Sequence, residues 1–109
     1  MTDTTTRYNF NAFAAECREI SRANGFDNPQ SISETEKTAT KLILIIDEVC
    51  EALHEVRKTG DVDAFGEELA DVIIRTADLS HDLGIDLDSI IERKMQKNRG
   101  RGFRHGAKF

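Results

Sequence analysis

Tryptophan is absent from this chain, proline occurs once and cysteine twice. Neither Cys17 nor Cys50 belongs to a Cys-x-x-Cys pair, which argues against a disulfide framework or a thiolate zinc site. No apolar run approaches the ~20 residues that a membrane span needs. The opening MTDTTTRYNF lacks the basic and apolar regions of a secretory signal, so the cytoplasm is the expected location. Strand-like alternation, internal repeats and long low-complexity segments are also missing, leaving an all-α fold as the expectation. Acid is missing from one whole region: from Arg93 to Phe109 there are seven Lys or Arg and no Asp or Glu.

What is present is concentrated. The 109 residues suffice for one domain with one core, and 39 % apolar with 32 % charged residues is an ordinary globular balance. Of the 20 acidic residues, 14 lie between Asp47 and Glu92. An acidic centre followed by a basic tail suits a metal–polyphosphate site, although a solvated acidic surface with a frayed basic end has the same charge pattern. The expected organisation is a single helical domain over 1–109, with residues 1–8 and 103–109 flexible.

Four helices are expected. The first spans about Asn9 to Ala23 and ends at Asn24-Gly25. A loop from Phe26 to Ile32 holds Pro29, and Ser33-Glu34-Thr35-Glu36 then forms a capping box that opens a long second helix to about Lys58. Gly60 and an Asp61 or Asp63 cap separate it from a third helix, about Asp63 to Asp82, with Phe65, Leu69, Val72, Ile73, Thr76 and Ala77 expected inside. Gly84 stops that helix, and Asp86 or Asp88 opens a fourth that runs to about Asn98.

The second helix organises the rest. At 100° per residue, Leu42, Ile46, Val49, Leu53 and Val56 form one stripe with core-facing spacing, while Lys37, Lys41, Leu44, Glu48, Glu51 and Glu55 line the opposite side. Ile43 and Ile45 fill the interval, so the helix is expected to be enclosed, with partner chains covering what three short neighbours cannot.

Glu48-x-x-Glu51 on helix two and Glu68-x-x-Asp71 on helix three each put two carboxylates on one face. A short turn makes these helices antiparallel neighbours, so the pairs can face each other. Four oxygen donors around one point suit a hard cation that keeps waters for phosphate oxygens to replace; solvated acids paired with Lys or Arg are the alternative. The pairs, followed by Lys94, Asn98 and Arg101 in a K-x-x-x-N-x-x-R spacing, resemble the MazG-like branch of the all-α nucleoside triphosphate pyrophosphatases over about residues 34 to 109.

The resemblance implies a four-helix, bundle-like, oligomeric protein, a homodimer or homotetramer. It implies Mg²⁺, with Mn²⁺ as a substitute, held by Glu48, Glu51, Glu68 and Asp71. It further implies hydrolysis of nucleoside triphosphates to monophosphate and pyrophosphate, with deoxynucleotide house-cleaning as the usual role. Glu48 or Glu51 would take the proton of the attacking water, and Lys94, Lys97, Asn98, Arg101 and Lys41 would meet the substrate. No membrane or nucleic-acid partner is expected. One departure is Asp47, where the family commonly carries a glutamate. The aromatic residues that hold the base in some relatives have no counterpart that can be placed, although Phe10, Phe13 and Phe26 are candidates.

Two other readings use different residues. Glu51-x-x-His54 and Asp78-x-x-His81, with Glu16, Glu19 or Glu92, fit the pattern of di-iron helical bundles. The Arg-Gly-Arg-Gly-Phe-Arg tail mixes cations with an aromatic, as single-strand nucleic-acid binders do, although the acidic body would repel a duplex.

Overall fold

The computed structural model describes residues 8–25 and 33–101, in which four helices and no strand are found. The Phe26–Ile32 loop, Pro29, and Phe103 and Arg104 of the tail lie outside the described residues. The helices are α1 (Phe10–Ala23), α2 (Glu34–Lys58), α3 (Val62–Asp82) and α4 (Leu87–Arg99). Each boundary falls within about a residue of the expected one.

The caps explain the boundaries. Ser33 Oγ accepts the Glu36 N–H at 3.1 Å and opens α2, as the first half of a capping box does. Asp61 Oδ1 accepts the N–H of Asp63 at 2.9 Å and opens α3. Between them Gly60 sits at φ +65°, a conformation that reverses the chain with no Cβ penalty. The starts of α1 and α4 cap one another across the fold. Asp88 Oδ1 accepts the backbone N–H groups of Phe10 and Asn11. Asn11 Oδ1 accepts those of Leu87 at 2.8 Å and Asp88 at 3.3 Å. Two sets of orphan helix donors are thus satisfied by two side chains about 77 residues away.

α3 is the central element: it packs against α2 on one side and α1 on the other, and α1 in turn meets α4. Small residues, Ala14, Cys17 and Ala77, fill the buried α1–α3 contact. Beside them Arg18 Nη1 donates to Asp78 Oδ1 at 3.2 Å, with both side chains largely buried. Lys41 Nζ donates to Asp82 Oδ2 at 3.0 Å and ties α2 to the C-terminal end of α3.

The facing of α2 differs from expectation. Its stripe of Leu42, Ile46, Val49, Leu53 and Val56 does not face the core of this chain; all five are exposed, Ile46 by 59 %. The inward face instead carries Lys41, Ile45, Glu48, Ala52 and Glu55. Leu69 and Thr76 of α3 are likewise exposed, as is Ile73 at 56 %, while Phe65 and Val72 are half-buried and Ala77 is buried. The reason is physical: periodicity separates two faces of a helix but does not say which one its own chain covers. Here Lys41–Asp82 and Glu48–Arg75 pairing and the small Ala52 bring the polar stripe of α2 onto α3.

Candidate metal centre

α2 and α3 run antiparallel, and their polar stripes meet near mid-helix. Glu48 from α2 and Glu68 and Asp71 from α3 bring one carboxylate oxygen each to within 4.8 Å of one another. That spacing is close to the roughly 4.2 Å span across an octahedral Mg²⁺ with oxygen ligands at about 2.1 Å. Glu48 is buried at 9 % exposure, and its Oε2 is shielded from solvent with no hydrogen-bond partner. Glu68 Oε2 is in the same condition. Carboxylate oxygens left without a partner are costly unless a cation approaches them. The donor set therefore fits a hard divalent ion.

Electrostatics point the same way. The Glu68 carboxyl is pushed above its ordinary value of 4.5, first by burial and then by the charges of Glu51, Asp71 and Glu48. Glu51 thus lies near the cluster, although it is exposed and does not supply one of the three clustered oxygens. Arg75 supplies a counter-charge, its Nε donating to Glu48 Oε1 at 2.7 Å. Four carboxylates thus face one guanidinium, an excess of acid over base within the cluster.

The remaining residues singled out from sequence are placed as follows. Lys41 faces inward but is paired with Asp82, beyond the acidic cluster along α2. Lys94 and Lys97 are exposed on α4, whose principal packing is on α1. Asn98 is half-buried, and its Oδ1 is shielded from solvent without a hydrogen-bond partner. Arg101 follows the end of α4 at Arg99, with its N–H donating to the Asn98 carbonyl at 3.3 Å. His54 and His81 are exposed, and neither joins the one cluster of metal-ligating side chains found among the described residues. Phe10 is half-buried against Tyr8, their ring centroids 5.6 Å apart, whereas Phe13 is partly exposed.

Arg75, which contacts Glu48 in the structure, is given no role by the sequence reading. The signal was present: it stands four residues after Asp71 on the stripe of Glu68, Asp71 and Asp78, one cation among acids.

Comparison with known proteins gives one match. The profile of the MazG-like family covers residues 30–108, more than two thirds of the chain and all of α2, α3 and α4. No curated protein and no solved structure matches the chain. Among the described residues no helix is long and apolar enough to cross a membrane.

Proposed function

The chain belongs to the MazG-like family, and from that premise we propose that it is a Mg²⁺-dependent nucleoside triphosphate pyrophosphohydrolase, converting (deoxy)nucleoside triphosphates to monophosphates and pyrophosphate. The family match supports a pyrophosphohydrolase-type activity. The observation that carries the reading to this site is the meeting of Glu48, Glu68 and Asp71 from two helices, with two buried oxygens lacking partners.

Glu48, Glu51, Glu68 and Asp71 would hold the ion, with Mn²⁺ able to substitute. Bound there, the ion would neutralise triphosphate oxygens and lower the pKa of a water. The carboxylates divide the remaining work. Glu48 has Oε1 committed to Arg75 and Glu51 shares a hydrogen bond with Glu68, and one of these two carboxylates would serve as general base for the attacking water. Lys94, Lys97, Asn98 and Arg101 supply charge and hydrogen bonds to the substrate, and Lys41 exchanges its Asp82 partner for phosphate if it takes part.

The active protein is proposed to be a homodimer or homotetramer. The exposed stripe from Leu42 to Val56 and the neighbouring Ile73 and Ile74 are what a second copy would cover. α4 packs mainly on α1 rather than on the helices that carry the acids, so its cations suit the site of a neighbouring copy. The expected pool-cleaning role does not involve nucleic acid or membrane, and the cytoplasm is the proposed location.

The test is a panel of ribo- and deoxynucleoside triphosphates with Mg²⁺, the products identified by ³¹P NMR. Monophosphate and pyrophosphate in equal amounts are expected from at least one substrate. Diphosphate with orthophosphate, or no metal-dependent turnover across the panel, would refute the reading.

A further inference from the structure

Arg75 holds its acid in an unusual way. It lies one turn beyond Asp71 and two beyond Glu68 on α3, so all three share one face. Its Nε donates to Glu48 Oε1 at 2.7 Å. An arginine that only neutralises a carboxylate can engage it with two parallel N–H bonds. This one makes a single bond, through the nitrogen nearest the stem, and the guanidinium has four further N–H donors on its two terminal nitrogens. No protein group pairs with them among the described residues. The Arg75 side chain is 37 % exposed while that of Glu48 is 12 % exposed, so the arginine is the more open member of the pair.

A charged fork fixed at its base and unfilled at its tip lies beside an acidic cluster that fits a cation. At 37 % exposure that tip is reachable from solution, and an anion can displace the water that otherwise solvates it. Neighbouring carboxylates have their own demand for positive charge, and two parallel N–H groups match two oxygens of one phosphoryl group. We propose that Arg75 is a substrate-binding residue that grips the phosphate chain through its terminal nitrogens, with Glu48 serving both as the anchor of that fork and as a metal ligand through Oε2. This assignment rests on the phosphohydrolase reading above. It explains why a carboxylate of the metal centre is hydrogen-bonded to a cation that would otherwise weaken metal binding.

The experiment uses the full chain and separates metal from phosphate. Mn²⁺ affinity is measured by electron paramagnetic resonance without nucleotide. Binding of a nucleoside triphosphate with a non-hydrolysable α,β-methylene bridge, and of inorganic pyrophosphate, is measured calorimetrically at saturating metal. Arg75→Ala is expected to weaken both phosphate ligands by roughly 10- to 100-fold, the size of one or two charge-assisted hydrogen bonds. Its Mn²⁺ affinity should change by less than about threefold, because a lost anchor and a lost repulsion oppose each other. Arg75→Lys keeps the charge but not the fork, so it should recover only part of the loss while retaining the native circular dichroism.

Unchanged phosphate binding in Arg75→Ala would overturn the assignment. So would a loss of Mn²⁺ affinity with normal phosphate binding once metal is saturating, since Arg75 would then only orient Glu48. If the unmodified chain binds neither Mn²⁺ nor the analogue, the phosphohydrolase reading falls and this assignment falls with it.

Discussion

Two arginine–carboxylate pairs lie against α3, and they differ in what they leave open. Arg18–Asp78 joins α1 to α3 with side chains 4 % and 13 % exposed, beside the close-packed Ala14, Cys17 and Ala77. Arg18 also has Asp82 within 4.0 Å, so that guanidinium sits between two carboxylates of the same helix. Arg75–Glu48 joins α3 to α2, but it is open to solvent at the arginine and unpaired at Glu48 Oε2. The first pair closes a contact inside the chain. The second leaves both ends able to receive something else. The contrast is one of access: a buried ion pair is weak evidence of a site by itself, and what sets the second pair apart is a half-open arginine beside an acidic cluster.

The sharpest way to break this contrast is at the second pair's neighbours. Asp71→Asn should lower Mg²⁺-dependent turnover on the order of a thousandfold, several kcal/mol of transition-state stabilisation, with little change in melting temperature. Glu51→Gln should also be severe, whereas Glu55→Gln should be mild; equal effects in a steady-state assay would contradict the placement of the site. The first pair should respond oppositely. Arg18→Ala leaves Asp78 buried without its partner and should cost about 3–5 kcal/mol, a fall of roughly 12 °C or more in melting temperature. Turnover per folded molecule should be unaffected, which thermal denaturation and a low-temperature assay can establish together.

A third test addresses the face that neither pair covers. Ile46→Asp places a charge in the exposed apolar stripe of α2 and should dissociate the proposed oligomer at micromolar concentration. Multi-angle light scattering reads this directly, and an active monomer of the unmodified chain would refute the need for a second copy. Arg101→Ala should have a smaller effect, about tenfold in kcat/KM, the loss of one charged hydrogen bond to phosphate. Wild-type kinetics in that variant would remove Arg101 from the site.

The smallest effect expected is on pH dependence. The raised Glu68 carboxyl makes a stability contribution that is fully present below 4.5 and lost as pH rises through its higher folded value. The metal-free protein should therefore lose stability across that window, and the stabilisation by added Mg²⁺ should grow across it as the ion replaces the proton. Asp82 works on the other side. Burial would raise it, but Lys41, Arg18 and Lys37 hold it below its ordinary 3.8, so its contribution is lost only as pH falls below that value. Calorimetry at several pH values with and without Mg²⁺ checks the sign. A Mg²⁺ effect that shrinks as pH rises would be the wrong one.

Much of this architecture was legible in the sequence because it is local. Ser33, Asp61, Asp86 and the glycines at 25, 60 and 84 mark helix ends within one turn of themselves. The acids of the candidate site were legible for the same reason, since a spacing of three sets each pair on one face. What escaped was the pairing between elements. Nothing local tells Asn11 and Asp88 that they will cap each other's helices. Nor does periodicity distinguish a stripe covered by the same chain from one the chain leaves exposed, which is why Leu42 to Val56 were expected inside. Arg75 stood in plain view on the acidic stripe, but its role depends on reaching Glu48 across the α2–α3 contact.

The central claim is that the α2–α3 acids form the metal centre. A Mn²⁺ titration followed by electron paramagnetic resonance, on the unmodified chain, Asp71→Asn and Glu55→Gln, tests it most directly. A specific Mn²⁺ site is expected in the unmodified chain and retained in Glu55→Gln, with affinity at least about tenfold weaker in Asp71→Asn. The same affinity in all three proteins would contradict it.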